Sequence, residues 1–136
     1  MSNERKTMMS EEEKASLESM NRRHSALVRA LAKPGEKIAE EMTGHSAHAI
    51  HMIMGLSGEV GELLDAIKKS VIYNKTLDRE NVIEELGDIE FYLEGLRQGL
   101  NIERVVTLDR NIAKLSKRYD KGAYSDTAAQ TRADKK

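Results

Sequence analysis

Glu59-Val60-Gly61-Glu62-Leu63 and Glu85-Leu86-Gly87-Asp88-Ile89 are two copies of one pattern: acid, aliphatic, glycine, acid, aliphatic. On a helix the two acids of each copy stand three residues apart and share a face. Two such helices packed together would aim four carboxylates at one point. Like charges gathered in that way call for a cation. The pattern therefore reads as a divalent-metal site on two paired helices.

Working outward, the first copy lies in a long helix predicted from about His45 to Tyr73. Its apolar stripe is Ala49, Met52, Leu56, Val60, Leu63, Ile67 and Val71, spaced by three and four. The second copy lies in a helix that Asp78 can cap, with a stripe of Val82, Leu86, Ile89, Leu93, Leu96 and Leu100. At roughly 100° per residue, both stripes centre near ~60° from the first acid of their copy, and the second acid falls near ~300°. Both pairs thus meet their own core face at the same angle. In an antiparallel hairpin the four acids would line one cleft, with Glu59 and Glu85 deepest. Gly55, Gly58 and Gly61 inside the first helix cost helix propensity, and they suggest close helix contact or room beside the acids.

Ser10 and Glu13 form a capping-box signature for an earlier helix with Leu17, Met20, Leu27 and Leu31 on one seam, ended by Pro34-Gly35. Glu36 to Met42 has room for a further turn or two. Gly99 and Asn101 mark the break after the second acid helix. The next helix carries Val105, Leu108, Ile112, Leu115 and Tyr119 until Gly122. Four main helices, short connections and no strand pattern predict an all-α fold, a four-helix-bundle-like arrangement of antiparallel neighbours. Residues 1–9 are expected to be a flexible N-terminus, 10–124 the folded domain, and 125–136 a polar tail in which Ser125 can cap one short helix.

Composition narrows the function. The 22 basic and 23 acidic residues nearly cancel, so no overall positive field exists to hold nucleic acid. No apolar run approaches the ~20 residues needed to span a membrane. There is no Cys, which excludes disulfides and thiolate metal sites. With no apolar signal core at Met1 to Ser10, a cytoplasmic location is the default expectation.

One E-x-x-E means little, because Glu is common on helix surfaces, and spacing alone does not choose between solvated acids and a metal site. The core-facing angle favours the metal, since a buried carboxylate needs a partner. An all-oxygen donor set suits Mg²⁺, or Mn²⁺, rather than Zn²⁺. The E-x-x-H of di-iron bundles is missing. On the last long helix Asn111, Lys114 and Arg118 recur beside the apolar seam. Alone they would be a solvated basic edge. Beside a carboxylate-held metal, Lys and Arg are what polyphosphate recognition requires. Lys69 shares the face of Glu62 two turns on and is a further phosphate candidate, although a plain surface lysine is the simpler reading. His48 and His51 lie on the acid-bearing side; His51, two turns before Glu59, is too far along for shared ligation, which leaves a contact to a sugar or base, or a satisfied structural histidine, as the two readings.

The stretches Gly55-Leu-Ser-Gly-Glu59-Val-Gly-Glu62-Leu63, Glu84-Glu-Leu-Gly-Asp88-Ile-Glu-Phe-Tyr-Leu93 and Asn111-Ile-Ala-Lys114-Leu-Ser-Lys-Arg118-Tyr119 resemble the MazG-like nucleoside triphosphate pyrophosphohydrolases of the all-α NTP pyrophosphatase superfamily. The small single-domain type of bacteria and their phages is the nearest in kind. The resemblance implies that Glu59, Glu62, Glu85 and Asp88 hold Mg²⁺ and that Lys114 and Arg118 contact phosphate, with Asn111 near the nucleotide. It implies cleavage of (deoxy)nucleoside triphosphates between the α and β phosphates, giving a monophosphate and pyrophosphate. It also implies a homodimer or a homotetramer built as a dimer of dimers, in which one site draws on two chains. Many relatives carry an extra acid directly before the first E-x-x-E, where this chain has Gly58; Glu84 is the obvious spare. Two alternatives share these residues. One is a related enzyme, acting on phosphoribosyl-ATP, dUTP or dCTP. The other is a non-catalytic helical module that binds a nucleotide or partner.

Overall fold

The structure, a computed structural model, describes residues 9–135, so the expected flexible start lies almost wholly outside the described residues. The described chain is all-helical. It divides between Met42 and Thr43 into two compact units.

The first unit holds α1 (Glu11–Leu31) and α2 (Gly35–Glu41). Ser10 caps α1 through the expected capping box: its hydroxyl accepts the Glu13 N–H, and the Glu13 carboxylate accepts the Ser10 N–H. Lys33 pairs with Glu41 across α2. Neither helix buries a residue.

The second unit is built on a hairpin of α3 (Gly44–Val71) and α4 (Arg79–Leu100). Thr43, which the sequence marks only as a break, caps α3 with Ser46 in a reciprocal capping box. Asn74 ends the turn after α3 in the left-handed region at φ 52°, and Asp78 caps α4 by accepting the Asn81 N–H at 3.1 Å. Asn101 closes α4 at φ 54°, a conformation Asn tolerates better than most residues. Then follow α5 (Arg104–Arg118), the short α6 (Asp126–Thr131) and a 3₁₀ turn at Ala133–Lys135 that folds back onto α5. Among the described residues no helix is long and apolar enough to cross a membrane.

Three close approaches fix the register of the hairpin. His48 lies against Gly99, Met52 against Gly95, and Tyr92 against Gly55. Each step forward along α3 is matched by an equal step back along α4, so the helices are antiparallel. A Cβ at any of these glycines would overlap the facing side chain. His48 also donates from Nε2 to the Gly95 carbonyl at 3.0 Å, which makes it a structural histidine. Gly58 and Gly61 behave differently, since a Cβ at either would meet nothing within 4 Å.

Apolar burial is sparse. Met52 and Ala66 are the buried hydrophobic residues among those described. Much of each predicted stripe stays open to solvent in the single chain, including Val60, Leu86 and, on α5, Val105 and Ile112 at 63% and 64% exposure.

The glycines give a paired test. Gly55→Ala should destabilise the protein by about 1 kcal/mol, because overpacking against Tyr92 costs about 1–3 kcal/mol and the gain in helix propensity returns up to ~1. Gly58→Ala, with open space at its Cβ, should stabilise it by up to ~1 kcal/mol. Denaturant titration of the two variants beside the wild type reads both signs.

Candidate active site

The register set by His48–Gly99, Met52–Gly95 and Gly55–Tyr92 continues one turn further. There it places Glu59 across from Asp88 and Glu62 across from Glu85. Glu59, Glu85 and Asp88 each turn a carboxylate oxygen to a common point, and the three oxygens lie within 4.8 Å of one another. Glu85 is 6% exposed, Glu59 is half-buried, and Glu62 and Asp88 are exposed. This is the depth order that the helix angles give.

A carboxylate held this way resists ionising. Burial pushes the Glu85 carboxyl above its ordinary value first, and the nearby charge of Glu62, a hydrogen bond with Glu59, and the charges of Glu59 and Asp88 push it further. A divalent cation would reverse each of these effects. It would replace the lost hydration of Glu85 with direct coordination and turn mutual repulsion among the acids into shared attraction. The donors are all hard oxygens, the set that Mg²⁺ and Mn²⁺ take. The residues present therefore fit such an ion.

Glu62 and Glu85 open onto a cavity of about 270 Å³ between the two helices, with Gly58 and Gly61 at its edge and Asp65, Lys69 and Asn81 along its walls; Glu59 and Asp88 are not part of its lining. The open space at Gly58 and Gly61 gives these two glycines their role as room beside the acids. Asp65 and Asn81 are not singled out by the motif. Both were reachable by extending it, since Asp65 stands three residues after Glu62 and Asn81 four before Glu85, each on the face of its acid.

The basic stripe stands apart from this cavity. Asn111 and Lys114 are exposed on α5. Arg118 lines a separate cavity of about 590 Å³ between the end of α5 and α6, along with Tyr119 and Tyr124. Its guanidinium donates from Nε and Nη2 to the two oxygens of Asp134, at 2.7 and 2.9 Å, and the Asp134 side chain is only 2% exposed. Arg118 holds the Asp134 carboxyl down at about 2. Thus α3 and α4 bring Glu59, Glu85 and Asp88 together, Glu62 stands outside that cluster but near enough for its charge to raise Glu85, and the α5 residues do not line the hairpin cavity within one chain.

Comparison with known proteins assigns this part of the chain to a family. The family model of the MazG nucleotide pyrophosphohydrolase domain matches residues 48–123, which takes in α4, α5 and nearly all of α3. The chain is also similar to the Gene 37 protein of Mycobacterium phage L5, with 32% identity over 95 residues, 65% of this chain and 78% of that protein. No solved structure matches. The chain belongs to the MazG nucleotide pyrophosphohydrolase family.

Crowding of the acids has a pH signature in metal-free protein. The Glu85 carboxyl is raised in the folded state, so the folded chain keeps a proton that the unfolded chain gives up near 4.5, the ordinary value. Stability should therefore fall as pH rises from that value through the raised folded one, and stay low above it. Glu85→Gln removes the ionisation. Without metal, the variant should unfold at a higher temperature than wild type at pH 7, and the gap should close below pH 4, as thermal scans in chelator will show.

Proposed function

We propose that the protein hydrolyses (deoxy)nucleoside triphosphates between the α and β phosphates, releasing a nucleoside monophosphate and pyrophosphate, with Mg²⁺ or Mn²⁺ as its cofactor. The observation that carries this reading is the antiparallel register that sets Glu59 against Asp88 and Glu62 against Glu85, with oxygens of three of them within 4.8 Å. Membership of the MazG family supplies the nucleotide.

Glu59, Glu62, Glu85 and Asp88 would hold the metal. When bound, the ion supplies charge neutralisation for the triphosphate and activation of water. Glu85, buried and flanked, fixes the depth at which the ion sits, while Glu62 and Asp88 face the mouth. Glu84, exposed on the turn beside Glu85, is a candidate to take the proton from the attacking water. Lys114 and Arg118, with Asn111, would bind the phosphates and steady the charge on the leaving pyrophosphate. Arg118 enters this role already aligned by Asp134, and Lys114 carries the exposed charge.

The apolar faces left open on α3, α4 and α5 support assembly of two or four chains. A row of side chains such as Val105, Ile112 and Val60, half or more exposed, is stabilised by cover from another hydrophobic surface. Assembly would also let α5 of one chain bring its basic stripe to the acids of another. A cytoplasmic enzyme of nucleotide-pool control, acting on free nucleotides without nucleic acid or membrane, fits the balanced charge.

Glu59→Gln and Asp88→Asn should each abolish pyrophosphate release from a panel of NTPs and dNTPs with Mg²⁺, while the far-ultraviolet dichroism keeps its helical form. Wild-type rates in either variant at saturating Mg²⁺ would sink the metal assignment. A wild type that binds nucleotide but releases no pyrophosphate from any of them would favour a binding module instead.

A further inference from the structure

The cavity lined by Glu62 and Glu85 extends beyond these acids. Past Glu62 it runs along Asp65 to Lys69 on α3 and is faced by Asn81 on α4. Lys69 stands two turns beyond Glu62 on the same face, so a ligand that extends from the acids along the groove meets Asp65 and then Lys69, the cation of this wall.

Among the described residues, Lys69 is the one cationic side chain on this cavity's wall. Its partner Asp65 is shared: Asp65 accepts both Lys68, at 2.6 Å, and Lys69, at 2.7 Å. Lys68 also lies 5.9 Å from the centre of the Tyr73 ring and is not on the cavity wall. Lys69 is on it, with a side chain 55% exposed. An ion pair this open to water is weakly held, so the Lys69 ammonium can turn from Asp65 to an incoming anion. Asn81 faces the same space, and its side-chain amide adds two neutral donors. Arg118 lines a different cavity within the one chain.

We propose that Lys69, aided by Asn81, is a further contact for the terminal phosphates of the substrate, the pair that leaves as pyrophosphate, so that the hairpin itself contributes to the polyphosphate subsite beside the α5 stripe as well as holding the metal ligands. This assignment rests on the pyrophosphohydrolase reading for its substrate, and on the cavity for its residues. Lys69 acts as a point charge that moves with the leaving group, and Asp65 parks it when the site is empty.

Inorganic pyrophosphate is the probe, titrated calorimetrically into the full chain in Mg²⁺. Lys69→Met should weaken its binding about tenfold or more, the loss of one charged hydrogen bond. Lys69→Arg, which keeps the charge, should stay within about threefold of wild type. Binding of Mg²⁺ alone should be the same in all three proteins, and the KM for the triphosphate should rise in Lys69→Met alone. Wild-type affinity for pyrophosphate in Lys69→Met overturns the assignment, and so does a wild type that does not bind pyrophosphate. The two readings separate cleanly. If the wild type binds pyrophosphate through Lys69 yet hydrolyses no triphosphate, the function fails and the subsite stands. If it hydrolyses triphosphate with an unchanged KM in Lys69→Met, the subsite alone fails.

Discussion

Everything in the hairpin answers to one constraint: a carboxylate, Glu85, is buried among three other acids. Such an arrangement weakens a fold unless it is paired. The surrounding sequence enforces it anyway. Glycines at 55, 95 and 99 let Tyr92, Met52 and His48 close against the opposite helix, and this locks the register that brings the acids face to face. Glycines at 58 and 61 then leave space where the acids point. The same residue type draws the helices together at one end of the hairpin and keeps them open at the other.

The second constraint is the shortage of apolar cover. A chain that buries only Met52 and Ala66 among its described hydrophobic residues has little stability to draw on from its own core. Yet it carries a site whose acids repel each other. In the proposed assembly both shortfalls are met together: a second copy covers the stripes, and the metal relieves the acids. Folding, assembly and cofactor binding would then be linked equilibria, each strengthened by the others.

Much of this was legible in the sequence. The caps at Ser10, Asp78 and Ser125, the breaks at Pro34, Asn101 and Gly122, and the shared angle of the two acid pairs follow from local chemistry and helical period. The depth order of the acids could be read from angles because both stripes were regular. The two kinds of glycine could not be told apart, because a sequence does not show what faces each one. Nor could the Arg118–Asp134 pair be foreseen, since it joins residues 16 apart across a turn. The stripe on α5 showed that Val105, Leu108 and Ile112 want cover but not what supplies it. Within one chain α5 packs on the closing 3₁₀ turn and leaves that face open.

The most direct test of the metal centre follows free Mn²⁺ by electron paramagnetic resonance as it is titrated with the protein, in the absence of nucleotide. If the four carboxylates form a divalent-cation site, the free-ion signal should fall in proportion to added wild type, and far less with Glu85→Gln or Asp88→Asn. A free-ion signal that persists undiminished in the presence of excess folded wild type would contradict the account.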